Sequence, residues 1–276
     1  MRVPGRPWRF LPAVLLAAIL LQPATVAGAP DGAGPQPVTE GPAVEIVCGP
    51  LPFVSDGPAC ERGIGAELAR AACGDAGLQC RFQQYPWPRA QKEVEMAAAD
   101  ILIGPYYTPE RSTWLVFSQE YFYVDQMWLF RSVPPGDAPL PSQEPRLIGV
   151  PLGWAVGGDL ERRPGTVLEI VRTVDLALNL LLMGRLDAVA AHARAVARFQ
   201  AERPGSRLLP AGQPLSAQRS YMGFSRPFAA SLERRMFEAA YERVLAGPAY
   251  ADILARNKPL PDMRTEVAAR GHRFRP

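Results

Sequence analysis

The chain has 276 residues and a formal net charge of +3, and Arg2, Arg6 and Arg9, with no acid beside them, carry all of that excess. The remainder is close to neutral, its basic residues are scattered, and Lys92 and Lys258 are its only lysines, so no basic surface points to nucleic acid. The length suits one large or two smaller domains.

Residues 1–29 read as a secretory signal peptide. A basic start leads into the short apolar run Leu11 to Leu21, which Pro23 follows, and Ala24-Thr25-Val26-Ala27-Gly28-Ala29 offers small-residue cleavage positions. Residues 30–43 form a Pro/Gly/Ala-rich leader without an apolar period, expected to be flexible. Export makes Cys48, Cys60, Cys73 and Cys80 candidates for disulfides. Of the three possible pairings, Cys73 with Cys80 is sterically natural, because one closes a predicted helix and the other opens the next strand. That leaves Cys48 with Cys60. No histidine stands among them, which argues against zinc.

Alternating apolar residues predict a first strand from Val44 to Cys48, then a helix from Arg62 to Cys73 with Ile64, Leu68, Ala71 and Ala72 on one face, stopped by Gly74 and Gly77. Cys80 to Tyr85 reads as a strand, Trp87 to Ala99 as a helix and Asp100 to Ile103 as a third strand, with Gly104-Pro105 ending it. Thr108 is placed to cap a helix with Pro109 at its first position and Glu110 in its first turn. Arg111 then lies beside free backbone N–H groups, where a guanidinium fork suits a carboxylate. As an isolated residue it reads first as a surface partner of Glu110 or another acid, and only its surroundings favour the anion site.

After a strand at Met127 to Arg131 and a proline-rich linker from Val133 to Pro145, the pattern restarts. Strands are predicted at Leu147 to Val150, Val167 to Val171 and Asp187 to Ala191, and helices at Val174 to Met183, capped by Thr173, and at Ala193 to Glu202. A strand at Tyr221 to Ser225 leads to an amphipathic helix from Ser231 to Ala246. Leu232, Met236, Phe237, Ala240, Tyr241 and Val244 should face inward, and Glu233, Arg234, Glu238, Glu242 and Arg243 outward. Strand and helix alternate at βαβ spacing. The fold class is therefore α/β with a mainly parallel sheet and ligand-bearing loops at the carboxyl ends of its strands.

The run Gly63-Ile64-Gly65-Ala66-Glu67-Leu68-Ala69, the turn Pro86-Trp87-Pro88-Arg89, Asp100 through Arg111, Phe117-Ser118, Gly184-Arg185-Leu186-Asp187-Ala188-Val189 and Gly247-Pro248-Ala249-Tyr250 occur in an order that resembles the family 3 extracellular solute-binding proteins. The resemblance covers about Val44 to Asn257. It implies a two-lobe, periplasmic-binding-protein-like type II fold with a discontinuous first lobe, residues 44–124 and 221–262, a second lobe, residues 127–215, and a basic tail, residues 263–276. Two crossing segments, near Tyr123 to Gln126 and near Gln213 to Ser220, would form the hinge. The Cys73 and Cys80 spacing also resembles the single disulfide of the basic-amino-acid and histidine binders.

Carried over by position, Arg111 would hold a ligand carboxylate and Trp87 would wall the ligand side chain, although a Trp between two prolines is often core packing. Phe53, Tyr106, Thr108, Gly153, Trp154 and His192 complete the expected ligand-binding set, and Glu67 is expected to fix its helix. The second lobe departs from the amino-acid pattern. Gly153-Trp154-Ala155 lacks the hydroxyls that would bind a carboxylate, and His192 stands where an acid would pair with an α-ammonium. The implied ligand is an anion other than a standard amino acid, unless His192 is only a lining residue and the amine is held elsewhere.

The leading reading is a monomeric periplasmic binding protein, with no cofactor or metal and no catalytic role, delivering a small anionic ligand to the permease of an ABC importer. His192 and His272 are the only histidines, and neither has a Ser or Cys partner at motif spacing. A periplasmic enzyme on the same scaffold, of the cyclohexadienyl dehydratase type, is the alternative, with His192 or Glu67 doing acid–base work. An accessory or sensor protein of a periplasmic system is the third.

Overall fold

The computed structural model describes residues 43–51, 54–133, 143–157 and 160–257. The expected signal peptide, nearly all of the leader, Phe53, most of the proline-rich linker and the basic tail lie outside the described residues.

The elements in chain order are β1 (Val44–Cys48), α1 (Ile64–Ala76), β2 (Cys80–Gln84), α2 (Trp87–Glu95), β3 (Ile101–Tyr106), α3 (Pro109–Ser112), β4 (Leu115–Phe117), β5 (Tyr123–Ser132), β6 (Leu147–Pro151), a 3-10 turn (Leu160–Arg162), β7 (Val167–Val171), α4 (Val174–Leu182), β8 (Ala188–His192), α5 (Ala193–Ala201), β9 (Leu208–Ser225), α6 (Arg226–Ala229), α7 (Leu232–Ala246) and α8 (Pro248–Arg256). The strands run β2-β1-β3-β9-β5-β8-β6-β7, with β4 on β9. Each half repeats one pattern: β1 lies parallel between β2 and β3, and β6 lies parallel between β7 and β8. The antiparallel pair β5 and β9 joins them, from Tyr123 opposite Ser220 to Ser132 opposite Leu208. The expected crossing segments are therefore hydrogen-bonded to one another.

Two sets of core clusters follow this division. One gathers β1, α1, β3 and α7 around Ile46, Ile64, Ile101, Phe224 and Phe237, and a smaller one lies under α2. The other gathers α4, α5, β5 and β8 around Phe130, Leu178 and Phe199, with a satellite at Met127 and Ile148. The fold is a two-lobe α/β architecture of the periplasmic-binding-protein type. Disulfides join Cys48 to Cys60 and Cys73 to Cys80, as the spacing suggested.

Several boundaries differ from the sequence-based expectation. β3 does not stop at Gly104-Pro105 but continues to Tyr106 through a register shift against β9. Gly104 makes this possible: its φ is 84°, and a side chain there would meet Val54 Cγ1 at 2.4 Å. α1 runs past Gly74 and ends at Gly77, whose left-handed φ of 65° closes it. The expected short strand at Tyr221 to Ser225 is the end of an 18-residue strand, β9. In α7, Phe237, Ala240 and Tyr241 are buried as expected, but Leu232 and Met236 are exposed and Glu238 is buried. Glu238 pairs with Arg234 and accepts the Gln119 N–H, which satisfies a charge that periodicity assigned to water.

Two aspartates lock the halves in the same way. The Asp100 carboxylate, just before β3, accepts the Glu45 N–H of β1 at 2.9 Å. The Asp187 carboxylate, just before β8, accepts the Arg146 and Leu147 N–H groups at 2.9 Å each. The backbone N–H groups of Leu147 and Arg146 hold Asp187 below the usual carboxylate pKa, whereas burial pushes Asp100 above it against its single N–H donor. The Asp187 contribution is therefore present above the unfolded value near 3.9 and is lost as pH falls through the lower folded value. Asp100 contributes in the opposite sense. Asp187→Asn keeps an oxygen acceptor and removes the charge, so it should cost about 0.5–1 kcal/mol at pH 7, discounted because the site is largely exposed. The gap from the parent protein should close towards pH 3 in thermal melts.

Candidate functional site

The carboxyl ends of the strands in both halves face one another, and β3, β6 and β8 each bring a residue to the meeting point. Local sequence sets up the first of them. Thr108 caps α3 by accepting the Arg111 N–H at 3.1 Å, and Pro109 occupies the first helical position, as predicted. The cap aims Arg111 inward rather than towards Glu110. Its side chain is buried, so the surface reading fails.

Three groups hold the guanidinium. Nε donates to Gln91 Oε1 at 3.2 Å, Nη1 to the Tyr106 carbonyl at 2.9 Å and Nη2 to the Gly153 carbonyl at 2.9 Å. Burial pulls its pKa down to about 10, against the raising influence of Tyr106 and Glu110, so it stays a cation at neutral pH. The Trp87 ring lies 5.7 Å from the guanidinium carbon.

The Gly153 carbonyl is the other half's contribution. It also accepts the Trp87 Nε1–H at 2.9 Å and, at 3.4 Å, a Gln91 Nε2–H. Gly153 has φ 76°, and a side chain on it would fall 2.8 Å from Gln91 Nε2. Only glycine suits this turn and this approach.

Beneath it lies a second buried chain. His192 ends β8, with Nδ1 3.1 Å from Asp125 Oδ2 and Nε2 3.0 Å from the Tyr106 hydroxyl. These partners fit an Nδ1–H donated to the carboxylate and a lone pair on Nε2 that accepts the Tyr106 O–H. Asp125 Oδ1 also accepts the Gln126 N–H at 2.9 Å. Burial first, and then the Asp125 charge, push the Tyr106 hydroxyl well above its ordinary pKa, so it remains a donor. The Trp154 ring covers His192 at 4.7 Å between centroids and packs against core clusters of both halves.

Two spaces result. An inner cavity of about 20 Å³, lined by Trp87, Tyr106, Arg111, Trp154 and His192, has room for about one water. An outer groove of about 640 Å³ opens beside it, with Leu51, Tyr85 and Trp87 on one wall and Leu152, Trp154 and Arg172 on the other. Trp87 and Trp154 border both.

The structure thus gathers Arg111, Trp87, Tyr106, Gly153, Trp154 and His192. Thr108 serves as the helix cap. Glu67 accepts hydrogen bonds from Arg256 and Asn257, which ties α1 to α8. Sequence reasoning missed Gln91 and Asp125. Gln91 lies one helical turn beyond Trp87, which was a usable signal, while Asp125 sits in the hinge with no motif around it. Among the described residues, no cluster of three or more His, Cys, Asp or Glu is placed to hold a metal.

Residues 48–193 match the model of the bacterial extracellular solute-binding proteins, family 3. No curated protein matches the chain significantly. Among solved structures, the GluR0 ligand-binding core in complex with L-glutamate aligns with a TM-score of 0.64 and 18% identity, covering 78% of this chain and 98% of that one. A periplasmic His/Glu/Gln/Arg/opine family-binding protein from Silicibacter pomeroyi, in complex with lysine, aligns at 0.63 and 20% identity, covering 78% and 96%. A histidine kinase sensor domain with similarity to periplasmic binding proteins aligns at 0.65 and 19% identity, covering 77% and 95%. At these identities the likeness is one of fold.

Arg111→Ala should leave the Gly153 and Tyr106 carbonyls short of a buried donor and lower stability by about 1–3 kcal/mol. It should also loosen the halves, seen as a larger radius of gyration in small-angle scattering. An unchanged radius and melting point would place the link between the halves elsewhere.

Proposed function

The chain belongs to the bacterial extracellular solute-binding proteins, family 3, and from that premise we propose that it is a periplasmic receptor that closes its two lobes over a small anionic ligand and hands it to an ABC importer. The observation that carries this reading is the outer groove, whose walls come from loops of both halves. A ligand lying there touches both lobes at once, and only a ligand with different affinity for the open and closed forms can shift a hinge. The volume lies within the range of small-molecule sites. Family membership supports export and a transporter partner.

The ligand on this reading is not a standard amino acid. An α-ammonium needs a carboxylate, and Asp125, the one acid at the inner end among the described residues, already serves His192 and the Gln126 N–H. The Gly153 carbonyl stands where Arg111 would receive a carboxylate, and one acceptor repels another. Closure of this kind brings Arg111 to its own chain and leaves the ligand to the groove.

A second reading is favoured by the His192–Asp125 pair, in which a carboxylate orients an imidazole at the inner end of the cleft, as acid–base work requires. It would make the protein an enzyme on a binding-protein scaffold.

A thermal-shift screen of the exported protein, with both disulfides formed, tests these readings against amino acids, dicarboxylates, aromatic acids and prephenate. An organic acid at a hundred times its dissociation constant should add about 2.7 kcal/mol, and Leu152→Glu, which puts a charge in the groove wall, should abolish the shift. Shifts by ordinary amino acids would overturn the account of the ligand, and consumption of prephenate would move the protein to the enzyme reading.

A further inference from the structure

We propose that the ligand's anionic group is held by Arg172, and that the ligand is a flat aromatic monocarboxylate without an ammonium group. This deepens the receptor reading and rests on it.

The argument is an accounting of the groove's charges. Arg89, Arg172, Arg198, Asp56 and Asp175 border it. Arg89 is bound to Glu93 at 3.1 Å and lies 4.5 Å over the Tyr85 ring. Arg198 is bound to Asp175 at 2.6 Å and to Glu202 at 3.2 Å. Asp56 is bound to Arg62 at 2.8 Å. Arg172 remains: it is exposed and makes no hydrogen bond or ion pair among the described residues. Its fork is the one uncommitted charge among the described residues of the groove, and a fork of N–H donors suits a carboxylate.

Its placement adds to this. Arg172 immediately precedes Thr173, the cap of α4, so it stands at the positive end of a nine-residue helix. Among the described residues, each acid bordering the groove already has an arginine partner, so an ammonium would find no free carboxylate among them. The walls favour a flat apolar body. Tyr85, Trp87 and Trp154 present rings, Leu51 and Leu152 present apolar side chains, and Leu152 is 44% exposed. A planar ring between the lobes would cover Leu152 and reach Arg172 with a short carboxylate arm.

The proposal also explains why Arg111 can be absent from ligand binding. With three of its donors on protein acceptors, it holds the lobes together from behind while the anion is received further out.

The test is isothermal titration calorimetry of the exported, disulfide-intact protein with indole-3-propionate, indole-3-propanol and L-tryptophan, and with benzoate and phenylpyruvate as further aromatic acids. The acid should bind at least ten-fold more tightly than the alcohol and than L-tryptophan. Arg172→Gln should weaken the acid at least ten-fold and leave the alcohol unchanged, and because Arg172 has no partner among the described residues the melting point of the free protein should not move. Equal binding of the acid by Arg172→Gln, or equal binding of L-tryptophan by the parent protein, overturns the proposal. So does failure of indole-3-propionate, benzoate and phenylpyruvate alike to bind. In that case shifts by dicarboxylates or amino acids in the thermal screen would leave the receptor reading standing, and silence across the whole screen would remove it too.

Discussion

A single backbone carbonyl, that of Gly153, organises the space between the two lobes. It comes from the loop after β6 and receives the Trp87 indole N–H and an Arg111 N–H, both at 2.9 Å, with a longer bond from Gln91. An acceptor with two lone pairs, facing a buried cation and two further donors, holds its position far better than a neutral pair would. Its place dictates the rest. Trp154, the next residue, lies over His192, Arg111 is withdrawn from solvent, and the space around it shrinks to about that of one water.

This arrangement divides the cleft by chemistry. The inner part is narrow and holds a run from Tyr106 through His192 to Asp125 in which each hydrogen-bonding group has a partner. The outer part is far larger, lined by both lobes, with rings and leucines on its walls and charged residues at its border. Solute binding in such a fold depends on groups that are unsatisfied until the ligand arrives. The inner part has few, because the protein supplies its own acceptors. The outer part has exposed apolar surface and, among the described residues, one unpaired guanidinium, and on the proposed reading recognition therefore lies outward, away from the zwitterion chemistry of amino acids.

Much of the scaffold was legible. The Asp-Ile-Leu-Ile run before Gly104 and the Thr-Pro-Glu-Arg helix start were read correctly because cap chemistry is local: Thr108, Pro109 and Arg111 act within one turn. The two cysteine pairs were legible for the same reason, one being seven residues apart and the other following by elimination. Where expectation failed, a distant group had overridden a local pattern. Glu238 sits on the polar side of its helix by period, yet Arg234 and the Gln119 N–H draw it inside. Gly104-Pro105 looks like a stop, yet pairing with β9 carries the strand on to Tyr106.

The sequence by itself determined the α/β class, the repeated strand–helix pattern, the capped turn that presents Arg111 and the disulfide framework, since each rests on contacts between residues close in the chain. Only the tertiary structure decided what Arg111 faces, that His192 answers to Asp125, and that Arg172 has no partner among the described residues. These facts depend on residues 42, 67 and dozens of positions apart meeting across the two lobes. A charge's partner is a matter of distance in space, and a sequence records only distance along the chain.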